Sequence, residues 1–113
     1  MLKKCYRMQK NALFKHVFAN GKSYVSKHVV IYVLKAYPAK FGFIASKRIG
    51  SAVTRNRARR LLREAIRLNL KKIKLESQVI LIARKPLVNA SFKEVEKSVL
   101  YLCRKAGILN ENS

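Results

Sequence analysis

The side chains best suited to chemistry lie between Ser46 and Lys72. Ten of these 27 residues are Lys or Arg, and Glu64 is the only acid among them. On a helix with 100° per residue, four of the polar side chains in this segment would lie within about 60° of one another. They are Asn56, Arg60, Arg63 and Arg67. A row of guanidinium groups on one rigid element predicts contact with the phosphates of a polyanion.

The opposite side of this helix is apolar. Its members are Ala58, Leu61, Leu62, Ala65 and Leu68. Their spacing is that of a stripe that packs on a core. A helix face that is merely solvated normally alternates acids with bases four residues apart. Only Glu64 is available for such a pair, so the pattern favours a binding surface over a solvated face.

The whole chain is strongly basic. It has 26 Lys and Arg residues against 5 Asp and Glu residues, a net charge of +21 and a pI of about 10.7. Half of the residues are nevertheless hydrophobic, which predicts a folded domain and not a disordered basic tail. We expect a single domain over residues 1–113, with a basic N-terminal arm at 1–9 and a loose tail at 110–113. Like charge at this density predicts a polyanionic partner.

Membrane, secreted and zinc-binding proteins fit the sequence poorly. No apolar run approaches the roughly 18 residues of a membrane span. The first residues lack the apolar stretch of a signal peptide. Cys5 and Cys103 stand 98 residues apart, which predicts reduced thiols in a cytoplasmic protein and no zinc site.

Residues for acid–base catalysis are almost missing. The five acids are dispersed from Glu64 to Glu111, which does not predict a metal-binding cluster of the nuclease type. His16 and His28 have no candidate Asp partner, because the chain contains no Asp. We therefore expect no catalytic residue, and no metal or cofactor bound by the protein itself.

The periodicity of the apolar residues predicts seven regular elements. Helices are expected at about 11–20, from Thr54 as N-cap to about Leu70, and from Ser91 to Gly107 with a Ser91–Glu94 capping box. Strands are expected at 22–26, 29–36, 41–48 and 78–83. The order α-β-β-β-α-β-α predicts an α/β (α+β) two-layer sandwich, a single small domain with helices against a four-stranded sheet.

A second candidate surface is aromatic. The first helix contains two pairs of apolar residues four positions apart, Leu13/Val17 and Phe14/Phe18, and the sequence leaves open which pair faces inward. Phe14 and Phe18, set against the Tyr32 side of the sheet, would line a shallow groove for the bases of single-stranded RNA. The alternative is ordinary core packing. Alternation along the third strand assigns four residues to its exposed side: Gly42, Ile44, Ser46 and Arg48.

The segment 42–64 closely resembles the signature of the bacterial ribonuclease P protein subunit. Its hallmark is Arg-Asn-Arg, here at 55–57, after a segment of the form S-K-[KR]-x-G-x-A-V. The resemblance extends to F-x-x-V-F at 14–18, to the aromatic Tyr32 and to I-A-R-K-P at 82–86. It therefore covers nearly the whole chain.

The resemblance implies an accessory RNA-binding subunit. Members of this family assist a catalytic RNA that removes the 5′ leader from precursor tRNA. The implied partners are that RNA and the leader, with neither membrane nor DNA, in the cytoplasm. Magnesium is expected through the RNA component. The family fold also implies a left-handed β-α-β crossover through the Arg-rich helix, against the usual right-handed rule.

The resemblance also assigns two groups of site residues. The helix that contacts the catalytic RNA matches Arg55, Asn56, Arg57, Arg59, Arg60, Arg63 and Arg67. The wall of the cleft that holds the leader matches Phe14, Phe18, Tyr32, Ile44, Ser46, Lys47 and Arg48. Ile44 stands where a smaller polar residue is expected in relatives.

Two alternatives belong to other classes of protein. The first is a structural RNA-binding protein of the ribosomal type, which neutralises RNA without a role in cleavage. Net charge does not separate it from the ribonuclease P reading, but an aromatic groove favours a protein that holds unpaired bases. The second is a nuclease that cleaves on its own, which the missing acid cluster disfavours.

Overall fold

The computed structural model describes residues 2–110, so the expected tail at 110–113 lies outside the described residues except for Asn110. The predicted order α-β-β-β-α-β-α is confirmed. The elements are α1 (Asn11–Asn20), β1 (Lys22–Val25), β2 (Val29–Leu34), β3 (Lys40–Ile44), α2 (Ala52–Leu68), β4 (Gln78–Ala83) and α3 (Phe92–Lys105). None of the helices in this part of the chain has the length and apolar character needed to cross a membrane.

The strands form one sheet in the order β1-β2-β4-β3. β2 runs antiparallel to β1 and to β4, whereas β3 and β4 are parallel and are connected through α2. The predicted α/β sandwich with a four-stranded sheet is thus confirmed. In the register, Tyr32 lies opposite Ile80, and Ile80 lies opposite Gly42 on its other side. These three residues therefore form one line across the sheet.

The main core lies between one face of the sheet and the helices α2 and α3. Val29, Ile31 and Val33 of β2 face this core and are buried, as the alternation along the strand requires. The core therefore holds α2 and α3 on the same face of the sheet.

The predicted capping box at the start of α3 is confirmed: Ser91 Oγ accepts from the Glu94 amide, and Glu94 Oε1 accepts from the Ser91 amide.

The other face of the sheet is covered only in part, by α1. α1 has the predicted bounds, and Val17 of α1 is fully buried against Ile80 of β4. Gly21 follows the helix because a Cβ there would lie 2.7 Å from the carbonyl oxygen of Val17. The sheet residues that remain partly exposed on this face include Tyr32, Leu34, Ile44 and Ile82. A ten-residue helix is too short to close this face, so a groove remains beside it.

Both predicted ends of α2 were wrong. The N-cap is Ser51, whose Oγ accepts a hydrogen bond from the Thr54 amide at 3.3 Å, so Thr54 lies inside the helix and is not its cap. Hydroxyls at both positions offer the same capping chemistry, and the sequence did not separate them. The helix ends at Leu68, before the predicted Leu70, because a 3-10 turn follows.

β2 and β3 are shorter than predicted. β2 ends at Leu34 and not at Ala36, and β3 ends at Ile44 and not at Arg48. Ile44 is the last residue of β3 with a partner on β4, because β4 itself ends one residue beyond that partner. The chain then enters a 3-10 turn at Lys47–Ile49, and turns of this length leave no periodic signal in a sequence.

The predicted N-terminal arm is packed against β3 wherever the structure describes it. Lys4–Tyr6 form a 3-10 turn, and Leu2 is 2% exposed. The Met8 amide donates to the Phe41 carbonyl oxygen at 2.9 Å. β3 is an edge strand with unpaired backbone groups, and these groups receive the N-terminal segment. Residues 2–8 of the arm are therefore docked on the edge of the sheet.

The two cysteines are free thiols in different surroundings. Cys103 is fully buried in the main core, and burial raises the pKa of its thiol to about 12. Cys5 is exposed. Because the thiolate is the reactive form, Cys103 is inert at neutral pH.

Candidate nucleic-acid interface

α2 presents the predicted cationic row from one rigid element. The exposed members of the assigned set are Asn56, Arg57, Arg60 and Arg67; the half-buried members are Arg55, Arg59 and Arg63. The absence of acids from the first turn leaves the positive end of the helix dipole unopposed. The helix and its side chains therefore add to the same positive potential.

The apolar side of α2 differs from the prediction at one position. The predicted members that pack inward are Ala58, Leu61, Leu62 and Ala65, of which only Leu61 is partly exposed. Leu68 is 54% exposed, whereas Ile66 is fully buried. At 100° per residue, Leu68 lies about 90° from the centre of the arc set by Leu62 and Ala65, and Ile66 lies about 70° from it. A small rotation of the packed face thus buries Ile66 and leaves Leu68 outside.

Arg67 differs from the other arginines of the row because it forms an ion pair. Its Nε lies 2.6 Å from Glu64 Oε2, and its second guanidinium contact to Oε1 measures 2.9 Å. The hydrogen bond from Arg67 lowers the pKa of Glu64. Part of the charge of Arg67 is therefore neutralised within the protein.

Asn56 and Arg57 are oriented by hydrogen bonds at the start of α2. Asn56 Oδ1 accepts a hydrogen bond from Arg59 Nη2. Arg57 Nη1 donates to the Val88 carbonyl oxygen at 3.4 Å. The uncharged member of the row therefore positions a neighbouring arginine and keeps its own side chain exposed.

Arg63 is the centre of a group of like charges. Its guanidinium carbon lies 5.5 Å from the centroid of the Phe43 ring, within cation–π range. Burial lowers the pKa of Arg63, and the charges of Arg7, Arg59 and Arg60 lower it further. Within residues 2–110, three buried Nε atoms have no hydrogen-bond partner: those of Arg7, Arg55 and Arg63. A bound anion would stabilise this arrangement.

The structure shows which of the two apolar pairs of α1 faces the sheet. Val17 faces the sheet and is fully buried, and Leu13 packs in the same cluster. Phe14 is half-buried and Phe18 is 38% exposed. The Phe18 and Tyr32 rings meet edge to face, with centroids 4.8 Å apart and an interplanar angle of 77°. The two phenylalanines therefore form the side of the groove, and Tyr32 reaches it from the sheet.

The floor of the groove is the part of the sheet around Gly42. Gly42 offers no side chain there, and the Phe14 ring lies against it. Tyr32 lies two strands away on the same line, and Ile44 belongs to the same partly buried cluster. The structure thus brings together four of the predicted cleft residues: Phe14, Phe18, Tyr32 and Ile44.

The other three predicted cleft residues lie on the connection between β3 and α2. They are Ser46, Lys47 and Arg48, and all are exposed. The alternation that assigned Ser46 and Arg48 to a strand face does not apply, because the strand ends before them. Lys85 Nζ donates to the Arg48 and Ile49 carbonyl oxygens at 3.4 and 3.2 Å and so fixes this turn. The turn joins the strand of the groove floor to the cationic helix.

Sequence reasoning missed Arg7 and Phe43. Arg7 stands in a segment without periodicity, and only the pairing of that segment with β3 brings its charge close to Arg63. Phe43 alternates with the residues predicted to be exposed, as the buried Phe41 does, and no local signal distinguishes the two phenylalanines. Both missed residues act on Arg63, Arg7 through its charge and Phe43 through its ring.

The described residues do not contain a group suited to hold a metal ion. Within residues 2–110, no three side chains of His, Cys, Asp or Glu come together. His16 lies 3.2 Å from Asn20, and His28 shares a 2.7 Å hydrogen bond with Ser98. The two imidazoles are thus engaged separately, away from any shared site.

The chain is similar throughout its length to known proteins. Residues 2–107 match the model of the family described as Ribonuclease P. The curated relatives include the ribonuclease P protein component of Listeria innocua, 39% identical, with 97% of this chain and 95% of that protein covered. The ribonuclease P protein component of Clostridioides difficile is 40% identical, with 89% of this chain and 91% of that protein covered.

Solved structures show the same fold. The RNase P protein of Staphylococcus aureus superposes with a TM-score of 0.84 at 29% identity and covers 95% of this chain and 100% of its own. The RNase P protein of Thermotoga maritima has a TM-score of 0.80 at 26% identity and covers 88% of this chain and 96% of its own. Fold, family model and relatives agree, and the chain belongs to the ribonuclease P protein component family.

Proposed function

We propose that this chain is the protein subunit of a ribonuclease P holoenzyme, in which a catalytic RNA removes the 5′ leader of precursor tRNA. The proposal is supported by the family to which the chain belongs and by the two surfaces that meet at the β3–α2 turn. The setting that we propose is the bacterial cytoplasm, with RNA as the only polymeric partner.

The catalytic RNA is the proposed partner of α2. Arginines bind phosphates through several parallel hydrogen bonds, and a helix holds them at fixed spacing. The contact set consists of Arg55, Asn56, Arg57, Arg59, Arg60, Arg63 and Arg67. Arg7 extends this set, because its charge lies close enough to lower the pKa of Arg63. Phosphate contacts make such binding strongly dependent on salt.

The 5′ leader is the proposed occupant of the groove beside α1. The observation that carries this assignment is the exposed Phe18 ring, held edge to face by Tyr32 at 4.8 Å. Bases of an unpaired strand stack on such rings without sequence preference, each with roughly 1–3 kcal/mol. Ser46, Lys47 and Arg48 lie where the strand would leave the groove toward α2, and their polar groups suit its phosphates.

Catalysis is assigned to the RNA and not to the polypeptide. Three of the four glutamates in the described residues are engaged by internal partners, Glu64 with Arg67, Glu94 with Ser91 and Glu96 with Asn69. The side chains of residues 2–110 offer no cluster of carboxylates for magnesium. In the proposal, magnesium is held by the RNA component, and the protein binds, orients and neutralises.

Reconstitution with a bacterial ribonuclease P RNA tests the proposal. At low magnesium, cleavage of a precursor tRNA should be accelerated when the protein is added, because the protein contributes leader binding and neutralises phosphate repulsion. The protein alone should not cleave. RNA binding without acceleration would favour a structural protein of the ribosomal type, and cleavage by the protein alone would make it a nuclease in its own right.

A further inference from the structure

α3 carries a row of exposed side chains that the proposed function does not use. Lys93, Lys97, Tyr101 and Lys105 follow one another at intervals of four residues, and all four are exposed. Side chains four apart are neighbours on a helix surface, so this α3 row is continuous and about 18 Å long. Tyr101 is 51% exposed. A large aromatic side chain thus stands exposed between lysines.

No lysine of the α3 row forms an ion pair within the described residues. Glu94 Oε1 accepts from the Ser91 amide at 3.0 Å, and Glu96 Oε2 accepts from Asn69 Nδ2 at 2.8 Å. Both acids of α3 are therefore engaged in hydrogen bonds with other residues of the protein. In residues 2–110 the only ion pair lies on α2. Lysines four apart on one helix repel each other, so the row favours an anionic partner.

Charged side chains surround Tyr101. Two shallow depressions of about 440 Å³ each reach this ring; Arg104 and Glu96 line one, and Lys27 and Glu94 line the other. His28 Nδ1 and Ser98 Oγ share a 2.7 Å hydrogen bond, which fastens α3 to the turn that carries Lys27. Each depression therefore contains a cation and an acid, and the acid is already hydrogen-bonded within the protein.

Lys105 shows how the ring of Tyr101 is held. Lys105 Nζ lies 5.8 Å from the ring centroid, within cation–π range. About half of the Tyr101 surface stays exposed and is free to stack with a planar group. Lysines next to an exposed aromatic ring are the combination by which proteins hold single-stranded nucleic acid.

We propose that the α3 row binds an unpaired RNA strand, with a base stacked on Tyr101 and phosphates contacted by Lys93, Lys97 and Lys105. A membrane surface fits less well, because Tyr101 is the only large apolar side chain in the row and an interfacial helix needs an apolar face. The proposal goes beyond the proposed function: α3 lies on the opposite face of the sheet from α1, so the site is separate from the groove.

A tryptophan reporter tests this site directly. The chain contains no Trp, so Tyr101→Trp places a single indole in the row while keeping a ring that stacks. The full-length variant is titrated with a fluorescein-labelled uridine RNA of about 12 nucleotides. We expect the indole fluorescence to be quenched over the same RNA concentrations at which the fluorescein anisotropy rises. Unchanged indole fluorescence during a clear rise in anisotropy would place the strand elsewhere and overturn the proposal.

Matched controls separate the α3 row from the other basic surfaces. Tyr37→Trp places the indole in the β2–β3 turn, where the Tyr37 side chain is 73% exposed, and the fluorescence of this indole should not be quenched. Lys97→Gln in the Tyr101→Trp background should lower the slope of log affinity against log salt by about 0.7. Lys15→Gln, an exposed change on α1, should leave that titration unaltered.

Two further titrations of the Tyr101→Trp variant decide the class of ligand. Neither an RNA duplex of the same length nor vesicles that contain phosphatidylserine should quench the Trp fluorescence as strongly as the single strand does. Equal quenching by the duplex would contradict base stacking, and stronger quenching by vesicles would make the row a lipid-binding surface. None of these measurements uses the catalytic RNA, so their result is independent of the reconstitution experiment.

Discussion

Phe14 lies so close to Gly42 that a Cβ at residue 42 would be 2.5 Å from Phe14 Cε1 and 2.7 Å from Phe14 Cζ. A packed interior has no spare volume to relieve such an overlap without moving a side chain or the backbone. Gly42 stands in line with Ile80 and Tyr32 across the sheet. The missing side chain at Gly42 therefore lets the phenylalanine ring rest on the sheet and sets the depth of the groove.

Gly42→Ala should disturb the fold and the groove together. The new methyl group would displace the Phe14 ring, and overpacking of this kind costs about 1–3 kcal/mol of unfolding free energy. Urea denaturation measures the loss. The control is Gly42→Ala combined with Phe14→Leu, which removes the ring atoms in conflict and should recover part of the stability. No recovery in the double variant would show that the strain lies in the backbone of β3.

Phe18→Ala should weaken the binding of precursor tRNA with a leader of several nucleotides by roughly 1–3 kcal/mol, because one stacking surface is lost. Mature tRNA, which lacks the leader, should bind almost unchanged. The melting temperature should fall less than for a buried phenylalanine, since Phe18 is 38% exposed. The control is Val17→Ala, which removes a fully buried neighbour and should lower stability by roughly 1.5–3 kcal/mol without selecting between the two RNAs. Equal loss of affinity for both tRNAs with Phe18→Ala would leave the leader path unassigned.

Arg63→Met should weaken binding to the catalytic RNA without weakening the fold. Methionine keeps an apolar contact with Phe43 and removes a charge that burial and the charges of Arg7, Arg59 and Arg60 disfavour. The slope of log affinity against log salt should fall in magnitude by about 0.9 if one phosphate contact to duplex RNA is lost. Filter binding at several salt concentrations and a melting curve measure both quantities. A lower melting temperature with an unchanged slope would make Arg63 a structural residue.

Glu64→Gln should strengthen RNA binding. The substitution breaks the ion pair at 2.6 Å and frees the guanidinium group of Arg67 for phosphate contact. It also raises the net charge of the helix by one. As a matched pair, Arg60→Gln should lose more affinity than Arg67→Gln, since Arg60 has no acid partner within the described residues. The same filter-binding assay measures all three variants; unchanged affinity with Glu64→Gln would contradict the neutralisation of Arg67.

Glu94 should contribute to stability in a pH-dependent way. Hydrogen bonds from the Ser91 amide and hydroxyl lower the pKa of Glu94. Because the folded-state pKa lies below the unfolded one, this contribution is present above about pH 4.3 and is lost as the pH falls through the folded-state value. Glu94→Gln keeps an accepting oxygen in the capping box but does not titrate. Between about pH 5 and pH 3 its melting temperature should therefore fall less than that of the unaltered protein. Parallel curves for the two proteins would show that the capping box does not depend on the charge.

Features carried by local signals were predicted correctly. The bounds of α1 and β4 and the capping box at Ser91 depend on neighbours within a few residues. The N-cap of α2 was predicted wrongly, because the hydroxyls of Ser51 and Thr54, three residues apart, give the same local signal. Ser51 is the cap since the chain leaves its 3-10 turn before that residue, and this turn has no periodic pattern.

Features that depend on the pairing of segments far apart in the chain could not be predicted from the sequence. Which face of α1 turns inward is decided by the register that brings Gly42 opposite Ile80, so that Val17 is buried and Phe18 is left at the groove. The closeness of Arg7 to Arg63 depends on the pairing of the N-terminal segment with β3. The site residues could be assigned from the resemblance to a family. Their arrangement in one groove and on one helix could be described only from the structure.

The packing of residues 2–8 along β3 governs how this protein tolerates truncation. Without this segment, the backbone groups of the edge strand, including the Phe41 carbonyl that accepts from Met8, would be open to another chain. Unprotected edges pair with one another and lead to aggregation. The same strand forms the floor of the groove, so association through it would also obstruct the proposed path of the leader. A shortened protein would then lose its function by self-association, even though every assigned contact residue of the groove and of α2 remained in place.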